Sequence, residues 1–343
     1  MSKKWILNVA FAMAVMPVGT ATIASLSTAP DAAQQASYAQ VGDIMIGGPL
    51  PAQWDYLTAD GPSKRAYVSH GTEVVVIDTA SNQVVGRITD TPGVHGIAVG
   101  TGKVFTSNGR ENKVSVVDPK TLATQTKIDS GGANPDAITF DPSTQAVWVF
   151  NHTGHSATEI DATTNTVRAT IPLTGTAESG QADGAGKVFV NIEDKDQIDV
   201  IDVAAKKVSA SWSVAPGASP TGMSLDRAGH RLFVGAGKFM VMMDAGSGKI
   251  VASVPICSGT DATWYDPGTK LALSSCRDGH ITVARVDGDK MTVVQTIDTA
   301  PGSRTMGIDM TTHKLYVSAA KPKAPPEKGN DPDSFHVLVY GPQ

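Results

Sequence analysis

Short apolar runs rich in β-branched residues recur along the chain, and most of them end at or near an aspartate. Five of these aspartates follow one another at spacings of 40 to 43 residues: Asp78, Asp118, Asp161, Asp202 and Asp244. A sixth run, 281–285, keeps the period, whereas the seventh, 337–340, is delayed by an insertion rich in proline and lysine. A fixed period of this length is typical of repeat architectures.

Each repeat contains a second apolar run, which carries an aromatic residue in six of the seven repeats and Ala272 in the sixth. The aromatic residues are Tyr67, Phe105, Trp148, Phe189, Phe233 and Tyr316. Turn sequences such as 141–143 and 246–248 separate the runs, and no amphipathic helical stretch lies between them. The pattern predicts an all-β, seven-bladed β-propeller of four-stranded antiparallel blades.

The last repeat, which ends at Tyr340, supplies only three strands. The segment Val41 to Gly47 resembles the outer strands 84–88 and 293–297. We therefore expect this N-terminal strand to join blade seven and close the ring, which removes an exposed sheet edge. The alternative, seven repeats and an unstructured leader, leaves the apolar segment unexplained.

The N-terminus has the layout of a secretion signal. Lys3 and Lys4 precede an uncharged apolar run, 5–18, and the small residues Ala21 and Ala24 follow it. The apolar run is shorter than the roughly 20 residues of a membrane span. The sequence predicts a signal peptide at 1–24 with its cleavage site open, a small polar leader at 25–40 and the propeller at 41–343. The mature chain is expected to be periplasmic or secreted, without a membrane span.

Charge and motifs exclude several classes of protein. The formal net charge is −5, whereas nucleic-acid binders carry a basic face, so nucleic acid is not an expected partner. No haem-attachment, calcium-loop, phosphate-loop or Gly-x-Ser-x-Gly motif is present.

The two cysteines, Cys257 and Cys276, lie at the ends of strands of neighbouring repeats, on the same face. We predict a disulfide between them, with two free buried thiols as the alternative.

Several segments resemble the YVTN-type β-propeller repeat proteins of the YncE-like group. They are 66–71 (AYVSHG), 105–109 (FTSNG), 134–138 (NPDAI), 187–191 (KVFVN) and 304–306 (RTM). The likeness extends over residues 41–343. It implies an exported bacterial propeller, but it implies no particular activity, because fold alone does not assign function.

One polar residue per repeat lies five positions before the turn that ends the innermost strand. These residues are Asp55, His95, Asp136, Glu178, Thr221, Asp261 and Arg304. Equivalent positions of the inner strands surround one mouth of a propeller's central channel, so the sequence predicts a polar ring there. The alternative is that these side chains only solvate the channel.

Four crowded carboxylates raise one another's pKa unless a cation or Arg304 offsets them, which favours a ligand site. No cofactor follows from the residues, although a divalent cation would suit them. Loops after the second strands place a further set of residues on the same face: His70, Asn108, Asn151, His152 and Arg277. His152 and His155 lie three apart without an evident third ligand, so we interpret their loop as surface rather than as a metal site.

The favoured function is a non-catalytic, exported binding or protein-interaction propeller, expected to be monomeric. Its acidic mouth would face a small cation, a cationic ligand or a protein partner. The alternative is a lactonase-like hydrolase or lyase at the same mouth, with His95 as the base and Arg304 stabilising an anion. No spacing places a nucleophile beside His95.

Overall fold

The computed structural model describes residue 1, residues 37–48, residue 50 and residues 53–343. Apart from residue 1, the predicted signal peptide lies outside the described residues, as does most of the predicted leader. Within the described residues, 28 strands form seven antiparallel sheets of four strands each. The predicted seven-bladed propeller is therefore confirmed.

The first strand, β1 (Tyr38–Met45), belongs to the last blade. Blades one and two consist of β2 (Leu57–Asp60), β3 (Arg65–His70), β4 (Glu73–Asp78), β5 (Gln83–Ile88), β6 (Val94–Gly100), β7 (Lys103–Asn108), β8 (Lys113–Val117) and β9 (Thr124–Asp129). Blades three and four consist of β10 (Pro135–Asp141), β11 (Ala146–Asn151), β12 (Ser156–Asp161), β13 (Thr166–Pro172), β14 (Ala177–Ala182), β15 (Lys187–Ile192), β16 (Gln197–Asp202) and β17 (Lys207–Ser213). Blades five to seven continue with β18 (Pro220–Asp226), β19 (Arg231–Ala236), β20 (Phe239–Asp244), β21 (Ile250–Pro255), β22 (Thr260–Asp266), β23 (Leu271–Cys276), β24 (His280–Asp287), β25 (Lys290–Asp298), β26 (Met306–Asp309), β27 (Lys314–Ala319) and β28 (His336–Pro342). Two short 3-10 helices cover Glu193–Lys195 and Pro332–Ser334.

The recurrent aspartates form the turns between the third and fourth strands. Asp78 Oδ1 accepts hydrogen bonds from the backbone N–H groups of Ala80 and Ser81 at 3.1 and 2.8 Å. Asn82 then takes a left-handed conformation with φ of 56°, which lets β5 return beside β4. Equivalent bonds to the following backbone N–H groups occur at Asp118, Asp161 and Asp244.

The core lies between neighbouring blades. All six aromatic residues of the second strands are at most 1% exposed, and each packs in a cluster of buried apolar side chains. Blade six has the small Ala272 at this position, and there Tyr265 stacks on Phe233 of blade five at a ring-centroid distance of 4.3 Å. A ring from the neighbouring strand thus fills the volume that alanine leaves.

Blade seven is completed by the N-terminal strand, since its strand order is β1-β28-β27-β26. The predicted closure is confirmed, but the strand covers Tyr38–Met45 rather than Val41 to Gly47. It begins earlier because Tyr38 is 3% exposed and exchanges backbone hydrogen bonds of 2.8 Å with the side chain of Gln295. On the channel side, β26 also contacts β2, so the inner strands form a closed ring.

Candidate functional site

The seven polar residues predicted for the channel mouth all lie at the beginnings of the innermost strands. Asp55 and Arg304 precede β2 and β26 by two residues, and the other five occupy the second position of β6, β10, β14, β18 and β22. Because the inner strands form a closed ring, these residues surround one mouth of the channel.

Bulges set the direction of these side chains. The pairing register shifts at the start of β6, β10, β14, β18 and β22, where two inner-strand residues oppose one residue of the second strand. Such a bulge re-aims a side chain and recurs near functional sites. Hydroxyl groups of the preceding blade hold the bulged backbone in place, since Ser107 donates to the carbonyl of Asp136 and Ser179 donates to that of Thr221.

Five side chains of blades one to four form what we call the acidic cluster: Asp55, His95, Asp136, His152 and Glu178. His95 Nδ1 lies 2.6 Å from Asp55 Oδ2 and 3.6 Å from Asp136 Oδ1. His152 Nδ1 lies 3.6 Å from Asp136 Oδ2 and 3.3 Å from Glu178 Oε1. Asp136 is therefore the shared centre of two triads, Asp55–His95–Asp136 and Asp136–His152–Glu178. In each triad, one ligand atom per residue lies within 4.8 Å of the others.

Asp136 is the most enclosed member of the acidic cluster. It is 7% exposed, and its Oδ1 accepts no hydrogen bond from any described residue. Burial, followed by the charges of Asp55 and Glu178, raises the pKa of Asp136 well above its usual range. Burial also raises the pKa of Glu178, and the hydrogen bond with Glu178 raises the pKa of His152 to about 9. The cluster thus holds three carboxyl groups against two imidazoles, and one oxygen of Asp136 has no donor among the described residues.

A tyrosine crosses the channel beneath the acidic cluster. The hydroxyl of Tyr56, in blade one, donates to Glu178 Oε2 of blade four at 3.2 Å. Burial, and then the charge of Glu178, raises the pKa of Tyr56, so the phenol keeps its proton. Tyr56 lines a cavity of about 620 Å³ farther along the channel, among apolar residues such as Phe140 and Trp264. This side chain therefore separates the polar mouth from the mostly apolar channel.

The remaining three predicted residues lie apart from the acidic cluster. Arg304 Nε donates to Asp261 Oδ2 at 2.9 Å. Burial raises the pKa of Asp261 to about 6, although the charge of Arg304 partly opposes this increase. The Thr221 hydroxyl donates to the carbonyl of Thr260 at 2.9 Å, so its proton is already engaged.

The second set of predicted residues divides in two. Asn108 and Asn151 are completely buried and use their amide groups within the sheets, on partners that include Ser115 and Ser156. His70 stacks on Phe335 at 4.5 Å, and its Nδ1 lies 3.1 Å from Glu73.

His152 and Arg277, in contrast, lie at the mouth. His152 joins the acidic cluster, whereas His155 is exposed. Treating the whole His152–His155 loop as plain surface was therefore wrong for His152, because its partners come from the inner strands and not from its own loop. Tyr56 was missed altogether, although its place beside Asp55 could have signalled it.

A cavity of about 610 Å³ opens beside the acidic cluster at the same mouth. Asp55 and His95 line it, as do Arg110, Arg277 and Arg304.

The predicted disulfide is confirmed next to Arg277, since Cys257 and Cys276 are bonded with a Cα–Cα distance of 5.7 Å. Among the described residues, no helix is long and apolar enough to cross a membrane.

Comparison with solved structures supports the fold alone. The chain is similar to RRP9 WD40 repeats, with a TM-score of 0.76, 9% identity, and coverage of 90% of this chain and 100% of that one. It is similar to a chain of the Mitotic Checkpoint Complex, with a TM-score of 0.74, 12% identity and coverage of 99% and 98%. It is also similar to a chain of Kuenenia stuttgartiensis Hydrazine Synthase, with a TM-score of 0.68, 15% identity and coverage of 79% and 94%.

Sequence comparison finds distant relatives, although no family model matches. The chain is 24% identical over 228 residues to "Uncharacterized protein YncE" of Salmonella typhi, which covers 66% of this chain and 53% of the relative. The protein of the same name from Salmonella typhimurium is 23% identical over the same length. The match therefore spans about half the length of these curated relatives. The resemblance in the repeat segments is thus confirmed, and the chain is a distant homologue of the YncE proteins with the fold of a seven-bladed β-propeller.

Proposed function

We propose that this chain is an exported binding propeller whose acidic cluster holds a divalent transition-metal cation at the channel mouth. A propeller with YncE-like relatives supports a binding or interaction scaffold in general. The proposal of a bound cation is based on the side chains of the acidic cluster.

The observation that carries the proposal is the carboxylate of Asp136. A buried oxygen that accepts no hydrogen bond is costly to a fold, at about 1–3 kcal/mol and more for a charged group. Here that oxygen faces His95 at 3.6 Å, with the carboxylates of Asp55 and Glu178 close enough to raise the pKa of Asp136. A bound cation would satisfy the oxygen and offset the surplus negative charge in one step.

The donor types favour a transition metal over calcium or magnesium. Each triad offers two carboxylates and one imidazole, and Asp136 belongs to both. Imidazole suits zinc, copper, iron and nickel, whereas calcium and magnesium take oxygen ligands. The proposed role of the metal is structural: it would hold the side chains of the acidic cluster in fixed positions at the channel mouth.

Export is supported by the disulfide, because such bonds persist in oxidising compartments. A YncE-like homologue and a disulfide are compatible with an extracytoplasmic protein. We propose the periplasm or the medium as the location, and cleavage of a signal peptide within or near residues 1–24. Cell fractionation combined with mass determination of the mature N-terminus tests both points.

Thermal unfolding tests the cation. Protein stripped with EDTA should gain stability with Zn²⁺, Mn²⁺ or Ni²⁺, by about 2.7 kcal/mol when the metal is at 100 times its Kd. Asp136→Asn should lose this gain, whereas Asp298→Asn, at a side chain 93% exposed, should keep it. No gain with any cation, an equal gain in Asp136→Asn, or a gain with Ca²⁺ or Mg²⁺ alone would overturn the assignment.

The alternative, a hydrolase or lyase, draws on one specific contact. The hydrogen bond of 2.6 Å between Asp55 and His95 Nδ1 orients the imidazole as a general base would require. This reading predicts turnover of a lactone or related substrate that His95→Ala abolishes. Equal inactivity of both proteins across a substrate panel would remove it.

A further inference from the structure

The arginine side of the mouth suggests a second binding site. Arg110 follows β7 in blade two, Arg277 follows β23 in blade six, and Arg304 precedes β26 in blade seven. All three line the cavity of about 610 Å³, which we call the arginine cavity. The described lining contains one carboxylate, Asp55, which is already bonded to His95. Arg304 also pairs with Asp261, and the charge of Arg277 acts to lower the pKa of that carboxyl.

The guanidinium groups of this cavity retain unused donors. Neither Arg110 nor Arg277 makes an ion pair or a side-chain hydrogen bond with a described residue, and both side chains are exposed. Arg304 uses only Nε, on Asp261, which leaves its terminal nitrogens free of described partners. A guanidinium has five N–H donors in a planar fork that matches a carboxylate in a bidentate manner.

The backbone holds two of these arginines in place. Arg277 N–H donates to the carbonyl of Gly259 at 2.9 Å, and the Arg277 carbonyl accepts from Gly302 N–H at 3.0 Å. Cys276, immediately before it, is tied by the disulfide. Arg110 N–H donates to the carbonyl of Pro92 at 3.3 Å. The guanidinium groups therefore extend from fixed points, which lowers the entropy lost on binding.

The cavity also has an unpaired donor and open space. Trp54 lines it and stacks on Phe335 at 5.3 Å, and its buried indole N–H has no acceptor among the described residues. Gly71 and Gly302 line it as well, and a Cβ added at either would meet no atom within 4 Å. The lining thus offers donors, an aromatic wall and room.

We propose that the arginine cavity binds a small organic anion carrying two or more carboxylate groups. Three guanidinium groups from three blades require more than one anionic group to satisfy them. Carboxylate is favoured over phosphate because the described lining contains no lysine, serine or threonine, which commonly join arginine around phosphate. Asp55 and His95 line this cavity and also belong to the acidic cluster, but the proposed anion donors, Arg110, Arg277 and Arg304, are not members of that cluster, so the anion site does not require a bound metal.

Calorimetric titration of the metal-free full chain tests the proposal. Succinate and tricarballylate are the carboxylate probes, inorganic phosphate is the competing chemistry, and sodium chloride of equal ionic strength controls for screening. Tricarballylate should bind more tightly than succinate. The variants Arg110→Gln and Arg277→Gln should each weaken binding by about tenfold, the loss expected for one charged hydrogen-bonded contact. Both side chains are exposed and make no ion pair or side-chain hydrogen bond with a described residue, so the variants should fold as the parent does.

Arg227→Gln is the matched control. Arg227 belongs to the other channel cavity, where its Nη2 donates to the carbonyl of Ala182 at 2.6 Å, so its loss should leave anion binding unchanged. Several results would overturn the proposal: no heat from either carboxylate at millimolar concentration, tighter binding of phosphate, or equal weakening in all three variants. Because the protein is free of metal, failure here leaves the cation proposal to its own test.

Discussion

Carboxylates occur in two contrasting settings in this propeller. Those of the outer turns, such as Asp78, Asp118 and Asp161, are partly exposed and accept hydrogen bonds from the backbone N–H groups that follow them. At the channel mouth Asp136 is buried and Glu178 is half-buried, and each lies near other acids. The pKa is lowered in the first set, chiefly by backbone hydrogen bonds, and raised in the second, chiefly by burial.

The difference teaches that the supply of donors, and not the residue type, determines what an aspartate does here. At Asp161 the N–H of Thr164 and the guanidinium of Arg168 stabilise the ionised form. At Asp136 one oxygen has no described donor. The ionised turn acids therefore stabilise the native state, whereas ionisation of Asp136 and Glu178 is less favourable in the native state than in the unfolded chain.

The largest expected effect that separates the two sets is the dependence of stability on pH. Burial raises the pKa of Asp261 from 3.8 to about 6, so between these values the native state binds more protons than the unfolded chain. The free energy of unfolding must then fall as pH rises through this window, by on the order of 3 kcal/mol for this group. Asp136 and Glu178 act in the same direction.

Urea unfolding of metal-free protein at intervals from pH 4 to pH 6.5 measures this effect. Asp261→Asn should flatten the curve while keeping a hydrogen-bond partner for Arg304. An equally steep fall in Asp261→Asn would contradict the role of burial at the mouth.

The next effect is a gain in stability from a substitution in the acidic cluster, whereas most substitutions of buried residues lower the free energy of unfolding. Burial raises the pKa of Asp136, so ionising it is less favourable in the native state than in the unfolded chain. Asp136→Asn keeps the shape of the side chain and removes that penalty, so the metal-free protein should gain about 1 kcal/mol or more at pH 7. Denaturant midpoints of the variant and the parent give the difference. A decrease in stability would show that the Asp136 carboxylate is stabilised by a partner in the native state.

The smallest effect belongs to the turns. Asp161→Ala should lower the melting temperature at pH 7, because the donors of Thr163, Thr164 and Arg168 lose their acceptor. The pKa of Asp161 is lowered in the native state, so its contribution is present above the ordinary value of 3.8 and is lost as pH falls below it. The deficit should therefore shrink in acid. Asp298→Ala, at an exposed carboxylate, serves as the control, and an identical loss there would remove the distinction.

Prediction from the sequence succeeded where the repeat carries the information. The buried aromatics from Tyr67 to Tyr316 and the starts of the inner strands recur with the blade period, so alignment of the repeats identified both. The sequence placed His152 on the face of the mouth but did not identify its partners, and it did not identify Tyr56, because these contacts join blades three and four and blades one and four. Asn108 and Asn151 have a suitable position in the repeat, yet their amides bond within the sheets. The repeat period gives the blade of a residue and its position along the strand. Contacts between blades depend on the length and direction of the side chain, which the period does not give.

The closing strand has a consequence for how the molecule is made. Asp43 of β1 and His336 of β28 form a contact of 2.7 Å although they are 293 positions apart, while most other strand pairs join close neighbours in the chain. Six blades can assemble from local hairpins. The seventh blade forms only when β1 pairs with β28, and this contact between distant segments slows folding. Until then the unpaired edge of β28 is open to other chains. Completion of the ring is therefore the step at which a nascent molecule is most exposed to misassembly.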